Sequence, residues 1–531
     1  MPTLKIDNKE VSVPAGANLM QVIREQGIDV PSMCYLEGIP HFTSCMVCVV
    51  KDRKTGRLLP SCSLEAEEGM DVISMDDEVR EARKTSLELL LSEHVGDCEA
   101  PCQVSCPAHM DIPRMNRHLA KGEFTEAYQV VVNDIALPSV LGRICTAPCE
   151  GACRRRSIDG SVSICLLKRY AGDHVLGKAK GSGTEAVDLK LKPAPATGKK
   201  VSILGAGIAG LAAAYHLALR GHAVTVFDRN ARAGGSLRKE VPAGELPGDV
   251  VDQEIGRILG LGATFVLGES VDGQKFRDIC LASDAVVVAT GKGESGTVSW
   301  GLPMHPKGIT ADDSSYQIDP GSLGEELRGV SCGIFAVGSA LKPSRLAIRT
   351  LGQGKEVAYS VDQFLGDRPV TGEPFLFNSR FGKLLPAEVE EYLKEATGEA
   401  RFEPEKIDRG FTREQVMAEA ARCLHCDCRD MDSCSLRMLS HEYRAEQKRF
   451  GSEERAAVRK NMQHDEVIYE PSKCIKCGIC VRLTEKHQEK FGFTFIGRGF
   501  EVEVGVPLHG TLGEGLKTVA REVAEACPTG Q

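Results

Sequence analysis

Twenty-one cysteines in 531 residues narrow what this chain can become more than any other feature. None falls between Cys165 and Cys280 and none between Cys332 and Cys423, so the thiols gather toward the two ends and spare the middle. In a small secreted protein such a count means disulfides. Here the opening residues MPTLKIDNKE lack the basic stretch and apolar core of an export signal, and the chain is long, so metal ligation is the better reading. The expected location is the cytoplasm. No run reaches the about eighteen apolar residues that a membrane span needs. The net charge of −9 excludes a sequence-independent nucleic-acid binder, which carries a basic surface. With 42% hydrophobic and 26% charged residues, the composition is that of a globular chain of several domains.

Patterning divides the chain further. LKIDNKEVSVP alternates as a hairpin around Asp7–Asn8, and NLMQVIREQG is a short helix closed by Gly27, so residues 1–80 form a small mixed domain. Residues 81–176 are mostly helical, with two Cys-rich loops. The Gly-, Lys- and Pro-rich stretch 177–199 is a linker. Strand and helix patterns alternate over 200–366. Residues 367–410 connect onward through one helix, PAEVEEYLKEATG. A Cys-rich segment, 411–450, and a C-terminal domain, 451–531, complete the chain.

Cys34, Cys45, Cys48 and Cys62 follow C-x10-C-x2-C-x13-C. Thiolates this close need a cation to offset their repulsion, and the long first gap lets a loop wrap a small cluster. The phrases MCYLEG, SCMVCVV and LPSCSL resemble the [2Fe–2S] domain of the large iron–sulfur subunit of respiratory complex I and of its hydrogenase relatives. Zinc, which prefers two tight pairs, is the alternative.

Then come His94, Cys98, Cys102 and Cys106-Pro107, followed by Cys145, Cys149, Cys153 and Cys165. CQVSCPAHMDIP, GRICTAPCEGACRR and VSICLLKRY resemble the N-terminal module of the glutamate synthase small subunit. Dihydropyrimidine dehydrogenase and flavin-based transhydrogenases share that module, which holds two [4Fe–4S] clusters between helices. His94 stands where the family has Cys, and the complex I subunit has a His at the same H-x3-C offset. The family's last ligand, Glu or Gln, aligns with Lys168. Cys165, three residues earlier on the same helical face, is expected to replace it. Family pairing then implies one set of His94, Cys98, Cys102 and Cys153, and a second of Cys106, Cys145, Cys149 and Cys165. The Arg154–Arg156 run reads as a solvated basic face.

KKVSILGAGIAGLAAAYHLALRGHAVTVFDRNARAGGSLR carries a dinucleotide fingerprint. Gly205 makes the turn, Gly207 admits the pyrophosphate and Gly210 lets helix and strand pack, while Asp228 ends the second strand where it can accept ribose hydroxyls. Gly234–Gly235, Thr290–Gly291 and the returning GIFAVGS strand with Gly338 resemble the FAD domain of the glutamate synthase family. Ser339 stands where that family has Asp. The family inserts a nicotinamide domain between the ATG and GIFAVG strands, but only 41 residues separate Gly291 from Gly333, short of the about 50 that a domain needs. Gly291, Gly293 and Gly296 also spell GxGxxG, but the Gly- and Pro-rich TVSWGLPMHPKG that follows cannot continue as a helix, so the match reads as coincidence.

Cys474, Cys477 and Cys480 form the C-x2-C-x2-C run of bacterial ferredoxins, with Thr484 where a fourth Cys would stand. Cys527-Pro528 is expected to supply the last ligand. Cys423, Cys426, Cys428 and Cys434 suit a further [4Fe–4S] cluster or a zinc ion. Nineteen cysteines and His94 thus make five four-ligand sets, leaving Cys280 and Cys332 as core thiols.

The expected fold is a multidomain combination of α+β and α/β parts. It comprises a β-grasp [2Fe–2S] ferredoxin domain, a helical two-[4Fe–4S] module, a Rossmann-like FAD domain without its nicotinamide insertion, and a C-terminal ferredoxin-like [4Fe–4S] region. One [2Fe–2S], four [4Fe–4S] (one with the zinc alternative) and FAD make an electron wire without its own terminals. The resemblances imply an electron-transfer subunit of an NAD(P)H-linked, electron-bifurcating hydrogenase or formate dehydrogenase type of complex. Its partners would be a complex I-like FMN- and NADH-binding subunit, a thioredoxin-like [2Fe–2S] subunit, and a catalytic subunit or ferredoxin. A self-sufficient NAD(P)H oxidoreductase or transhydrogenase subunit, and a cluster-spacing scaffold with a vestigial flavin domain, remain as alternatives. No catalytic residues are singled out.

Overall fold

The computed structural model describes residues 1–179, 191–292, 300–403, 410–451 and 455–530. Two compact units divide the chain. The first joins Met1–Ala100, Leu376–Lys394 and Cys426–Gln531; the second joins Pro101–Phe375 and Glu395–His425. The chain enters the second unit at Pro101 and finally leaves it after His425, each time inside a run of cysteines.

In the first unit, β1 (Thr3–Ile6) and β2 (Lys9–Ser12) pair through Asp7 and Asn8, whose φ angles of 49° and 72° are those a tight hairpin turn requires. With β3 (Val49–Asp52), β4 (Leu58–Pro60) and β5 (Asp71–Ile73) they form a mixed sheet of order β2-β1-β5-β3-β4. Strand β5 is parallel to β1 and antiparallel to β3. The helix Leu19–Glu25 starts at Asn18, whose side chain accepts the Gln21 N–H at 3.3 Å. It buries Leu19, Met20 and Ile23 with Leu4, Ile6 and Val72 of the sheet. The helix Asp77–Glu93 is capped by Asp76, which accepts the Val79 N–H at 2.8 Å. On it, fully buried Arg83 donates to the carbonyls of Val49 (2.9 Å) and Ser74 (3.0 Å) and to the Tyr443 hydroxyl (3.1 Å). One guanidinium thus ties the N-terminal sheet to the C-terminal part of the same unit.

The second unit combines a helical layer with a parallel sheet. The helices Ile112–Ala120, Phe124–Asp134, Pro138–Ile144 and Ile164–Ala179 pack together, and Arg413–Ala420 joins them. The strands β6 (Lys200–Leu204), β7 (Ala223–Asp228), β8 (Thr264–Leu267) and β9 (Ala285–Val288) are followed by a two-residue ladder, β10 (Met304–His305) with β11 (Gly308–Ile309), and by β12 (Gly333–Ala336). The main sheet runs β12-β9-β6-β7-β8, all parallel. Strand β9, AVVV, is buried along its whole length, as a central parallel strand must be. Among the described residues between β9 and β12, only the small ladder and short 3-10 turns occur where a second nucleotide domain would sit. Gly293 and Gly296 of the second glycine motif lie outside the described residues. The helix Ala347–Leu365 lies on Ile208–Leu219 at close range, because a Cβ on Gly354 would stand 2.5 Å from the Ala209 carbonyl oxygen. No described helix is long and apolar enough to cross a membrane.

Candidate iron–sulfur and dinucleotide sites

In the first unit Cys34, Cys45, Cys48 and Cys62 are all buried beside the mixed sheet, on the loop before β3 and the turn after β4. The loop can wrap because Gly38, Thr43 and Met46 take positive φ. The sulfurs are in mutual hydrogen-bond range. Bonds from the Cys45 and Cys62 thiols pull Cys34 down to about 2, and a bond from Cys62 pulls Cys48 down to about 7. The donors Cys45 and Cys62 are pushed up in exchange. Asn18 Nδ2 fixes the Cys62 carbonyl at 2.6 Å. Four thiols so placed could together bind a cationic cluster as thiolates.

Cys474, Cys477, Cys480 and Cys527 line a second, apolar cavity with Phe493 and Val504. Lys476 (φ 55°) and Gly478 (φ 79°) turn the backbone between the cysteines, and the Lys476 N–H points at Cys474 Sγ at 3.3 Å. The two sites are neighbours: Cys34 acts on Cys477, and Phe42 meets Phe495 edge-on at 5.4 Å.

Three further thiols of this unit, Cys98, Cys428 and Cys434, form a third group that sequence spacing did not predict. Cys428 donates its N–H to the Cys98 carbonyl at 2.9 Å, and Cys428 and Cys434 are the thiols acting on Cys98. The Ser379 N–H points at Cys98 Sγ at 3.4 Å. The Pro528–Gly530 segment backs the other two: Cys428 Sγ lies 3.1 Å from the Gly530 oxygen and Cys434 Sγ 3.9 Å from that of Pro528. His94 is buried at the end of its helix, with Nδ1 2.9 Å from the Lys473 carbonyl, which leaves Nε2 for a ligand. Burial, then the Lys473 ammonium, pushes His94 down to about 4, so it is neutral as a ligand must be. Lys473 in turn faces Cys428 and is paired with Glu470.

In the second unit, Cys106, Cys145, Cys149 and Cys165 are neighbours. Cys145 ends the helix Pro138–Ile144, and Cys165 opens Ile164–Ala179. These helices cross with almost no gap. A Cβ on Gly172 would stand 2.5 Å from Ser139 Oγ, and one on Gly142 would run into Arg169. The Cys165 thiol bonds to Cys145 and pulls it down to about 6, while burial raises Cys106 and takes Cys149 to about 12. Glu150 fixes the Cys165 N–H at 2.9 Å.

Cys153 has Cys423 as its thiol neighbour. Arg422 explains the approach: fully buried, it donates to the Gly160 carbonyl (3.0 Å), Asp159 (3.1 Å) and Glu419 (2.8 Å), locking the loop after Cys153 to the residue before Cys423. Arg155 bonds Asp159 and the Arg422 carbonyl and is itself fully buried. It is a clamp and not the solvated basic face expected from sequence. Cys102 sits half-buried on the helix Pro101–Val104, which packs on the turn carrying Cys149.

Within the second unit Cys423 faces Cys153, and within the first Cys428 and Cys434 face Cys98. Cys280 and Cys332 share a thiol–thiol hydrogen bond, Cys280 buried and Cys332 half-buried.

The dinucleotide fingerprint has the geometry its glycines foretold. A Cβ on Gly210 would collide with the Gly205 carbonyl, and one on Gly205 (φ 112°) with that of Ala289. Around Gly207, which caps the helix Ile208–Leu219, there is open space for a phosphate. Gly235 (φ 53°) lies against Gly207, and the Gly234 N–H holds the Ala206 carbonyl at 2.8 Å. Asp228 accepts the N–H groups of Ala206 (2.7 Å) and Asn230 (2.8 Å), which fixes its carboxylate at the end of β7. Thr290 and Gly291 (φ 82°) follow β9, and Gly338 (φ 71°) follows β12 against Ala209. Ser339 Oγ receives the Ser344 N–H at 3.4 Å. The helix Ala347–Leu365 also reaches the Cys106 group, since a Cβ on Gly352 would stand 2.5 Å from the Pro107 oxygen.

Three known families match parts of the chain: a 2Fe–2S iron–sulfur cluster binding domain over residues 1–76, the 4Fe–4S cluster domain II of dihydropyrimidine dehydrogenase over 77–180, and an NAD(P)-binding Rossmann-like domain over 203–264. The NADP(+)-dependent formate dehydrogenase subunit beta of Moorella thermoacetica is 35% identical over 240 residues, covering 41% of this chain and 32% of that one. The NADPH-Fe(3+) oxidoreductase subunit beta of Geobacter sulfurreducens is 33% identical over 225 residues, covering 41% and 30%. The glutamate synthase [NADPH] small chain of Bacillus subtilis is 34% identical over 209 residues, covering 37% and 40%. The match thus spans about a third of these relatives' length. These matches bear out the resemblance to the glutamate synthase and dihydropyrimidine dehydrogenase families and the 2Fe–2S domain ahead of it.

Proposed function

We propose that the chain is an electron-transfer iron–sulfur flavoprotein subunit of a multi-subunit NAD(P)H-linked oxidoreductase. The observation that carries this reading is the gathering of cysteines into separate groups in both compact units, one of which also holds a dinucleotide-binding sheet. When bound, iron–sulfur clusters and FAD supply one-electron transfer and a junction to two-electron chemistry. The residues sort into five ligand sets. Cys34, Cys45, Cys48 and Cys62 would hold [2Fe–2S]. Sets of Cys474, Cys477, Cys480, Cys527 and of His94, Cys98, Cys428, Cys434 would each hold [4Fe–4S] in the first unit. In the second, Cys106, Cys145, Cys149 and Cys165 form one such set. Cys102, Cys153 and Cys423 belong to the last.

Gly205, Gly207, Gly210, Asp228, Gly234, Gly235, Thr290, Gly291, Gly338 and Ser339 would hold FAD, next to the Cys106 group. The partners are a complex I-like FMN- and NADH-binding subunit with its thioredoxin-like companion, and a formate dehydrogenase or hydrogenase catalytic subunit or a ferredoxin. The names of the two relatives that are beta subunits of NADPH-linked oxidoreductases support this reading.

Anaerobic purification of the native complex tests it, with iron, zinc and flavin quantified and the companion chains identified. About eighteen irons and one FAD in this chain are expected after subtracting partner clusters. About fourteen irons with one zinc would return the Cys423–Cys434 segment to a structural role. A preparation without flavin would reduce the Rossmann-like part to a scaffold.

A further inference from the structure

Lys168 brings a cation into a group of cysteines. Its side chain is buried, 3% exposed, on the helix that begins with Cys165. Its ammonium lies 3.8 Å from Cys165 Sγ. The charged groups acting most on it are Cys165, Cys145, Cys149 and Cys106, with no carboxylate among them. The nearby Glu150 carboxylate is already taken by the Cys165 N–H and by Arg401 at 3.0 Å. The contrast is Lys473, equally buried beside Cys428 but paired with Glu470 and so neutralised. A buried, unneutralised ammonium costs several kcal/mol in desolvation unless a strong negative charge faces it. Four thiols do not supply that charge. Four thiolates around an iron–sulfur core do, and the net negative charge of the thiolate-ligated cluster grows by one on reduction.

We propose that Lys168 is a positioning and charge-tuning residue whose ammonium, directed at Cys165 Sγ, raises the reduction potential of the cluster held by Cys106, Cys145, Cys149 and Cys165. The proposal rests on the ligand set assigned above. The physical basis is that the reduced cluster, carrying one more negative charge, gains more from the fixed cation and its N–H···S contact than the oxidised cluster does. In a buried site little water screens the effect. The pair Cys165 and Lys168 then has a single logic: the thiolate completes the ligand set, and the lysine offsets its negative charge. The cluster beside the flavin site becomes easier to reduce than the one in the apolar Cys474–Cys527 cavity.

The test is a potentiometric titration of the full chain, followed by electron paramagnetic resonance under anaerobic conditions, with Lys168→Gln, Lys168→Met and Lys168→Arg. Cys165→Ser identifies the signal that belongs to this cluster. With iron content unchanged, that signal is expected to move to a lower midpoint potential in the Gln and Met variants, to stay close to the parent in Arg, and to leave the other signals where they were. An unmoved potential in iron-replete Gln and Met variants overturns the proposal. Should those two lose the cluster, the unsubstituted chain decides. The Cys165-dependent signal must then titrate above that of the Cys474–Cys527 cluster, and titration below it overturns the proposal. If Cys165→Ser alters no [4Fe–4S] signal, the ligand set itself falls, and the proposal with it.

Discussion

At the scale of single residues, much of the chain's buried charge serves to hold loops that carry thiols. Arg83, Arg155 and Arg422 have side chains fully buried and bonded to backbone carbonyls, so each supplies donors where loop backbone would otherwise be unpaired. Glu388 does the complementary work. It accepts the N–H groups of Leu385 (2.7 Å) and Val458 (2.8 Å) and both arms of Arg455. Burial pushes this carboxyl up, but the guanidinium and the two amides outweigh it and hold it at about 2, against 4.5 for an ordinary glutamate. Its stabilisation is therefore complete above about pH 4.5 and is lost as pH falls through about 2. Glu388→Gln is expected to cost about 1–3 kcal/mol at neutral pH. It should also flatten the decline in stability at acid pH, both read by denaturant unfolding at a series of pH values. A parallel decline in both proteins would show that another group sets the acid limit.

At the scale of elements, site geometry depends on helices that approach more closely than side chains normally allow. Cys145 and Cys165 meet because Gly142 and Gly172 let two helices cross in backbone contact. Gly142→Ala places a methyl 2.6 Å from the Arg169 Cα and must spread the helices. The expected cost is about 1–3 kcal/mol, with loss or distortion of one [4Fe–4S] signal and retention of the [2Fe–2S] signal. Iron analysis and spectroscopy of the variant check this, and an unaltered spectrum would mean that the ligands do not depend on the helix crossing. The glycine-rich turn after β6 obeys the same rule, and it was legible in advance because each of its glycines has a fixed role in a known motif. Gly142 and Gly172 belong to no motif, and nothing in the sequence separates them from loop glycines.

At the scale of the whole chain, the two ends build one unit. The last residues reach Cys428 and Cys434, and these face Cys98 from the first hundred. A Cβ on Gly530 would collide with Cys428 Sγ. Gly530→Ala is therefore expected to displace that ligand and abolish the nitrogen-coupled [4Fe–4S] signal that His94 would contribute, leaving the [2Fe–2S] signal intact. Pulsed electron paramagnetic resonance reads both, and a surviving nitrogen coupling with full iron would remove Cys428 from the set. The residues 101–425 that separate Cys98 from Cys428 are not a spacer, since most of them form the second compact unit.

Residue chemistry and local spacing were enough to nominate the twenty ligands, the dinucleotide turn and the hairpin at Asp7–Asn8. Each of these is set by interactions within a few residues or by the valence of a thiolate group, and such constraints are written in sequence order. The partnership of ligands was not. Cys98 reads as a neighbour of Cys102, and Cys428 as a neighbour of Cys426, because distance along the chain is the only distance a sequence displays. The tertiary structure assigns Cys98 to Cys428 and Cys434, and Cys153 to Cys423, because buried arginines and close glycine contacts can join loops hundreds of residues apart for the loop-closure entropy of one fold. Lys168 shows the same division. Its identity as a cation at a ligand position was plain from the residues, but that four cysteines surround it with no carboxylate to neutralise it was decided only by how the helices pack.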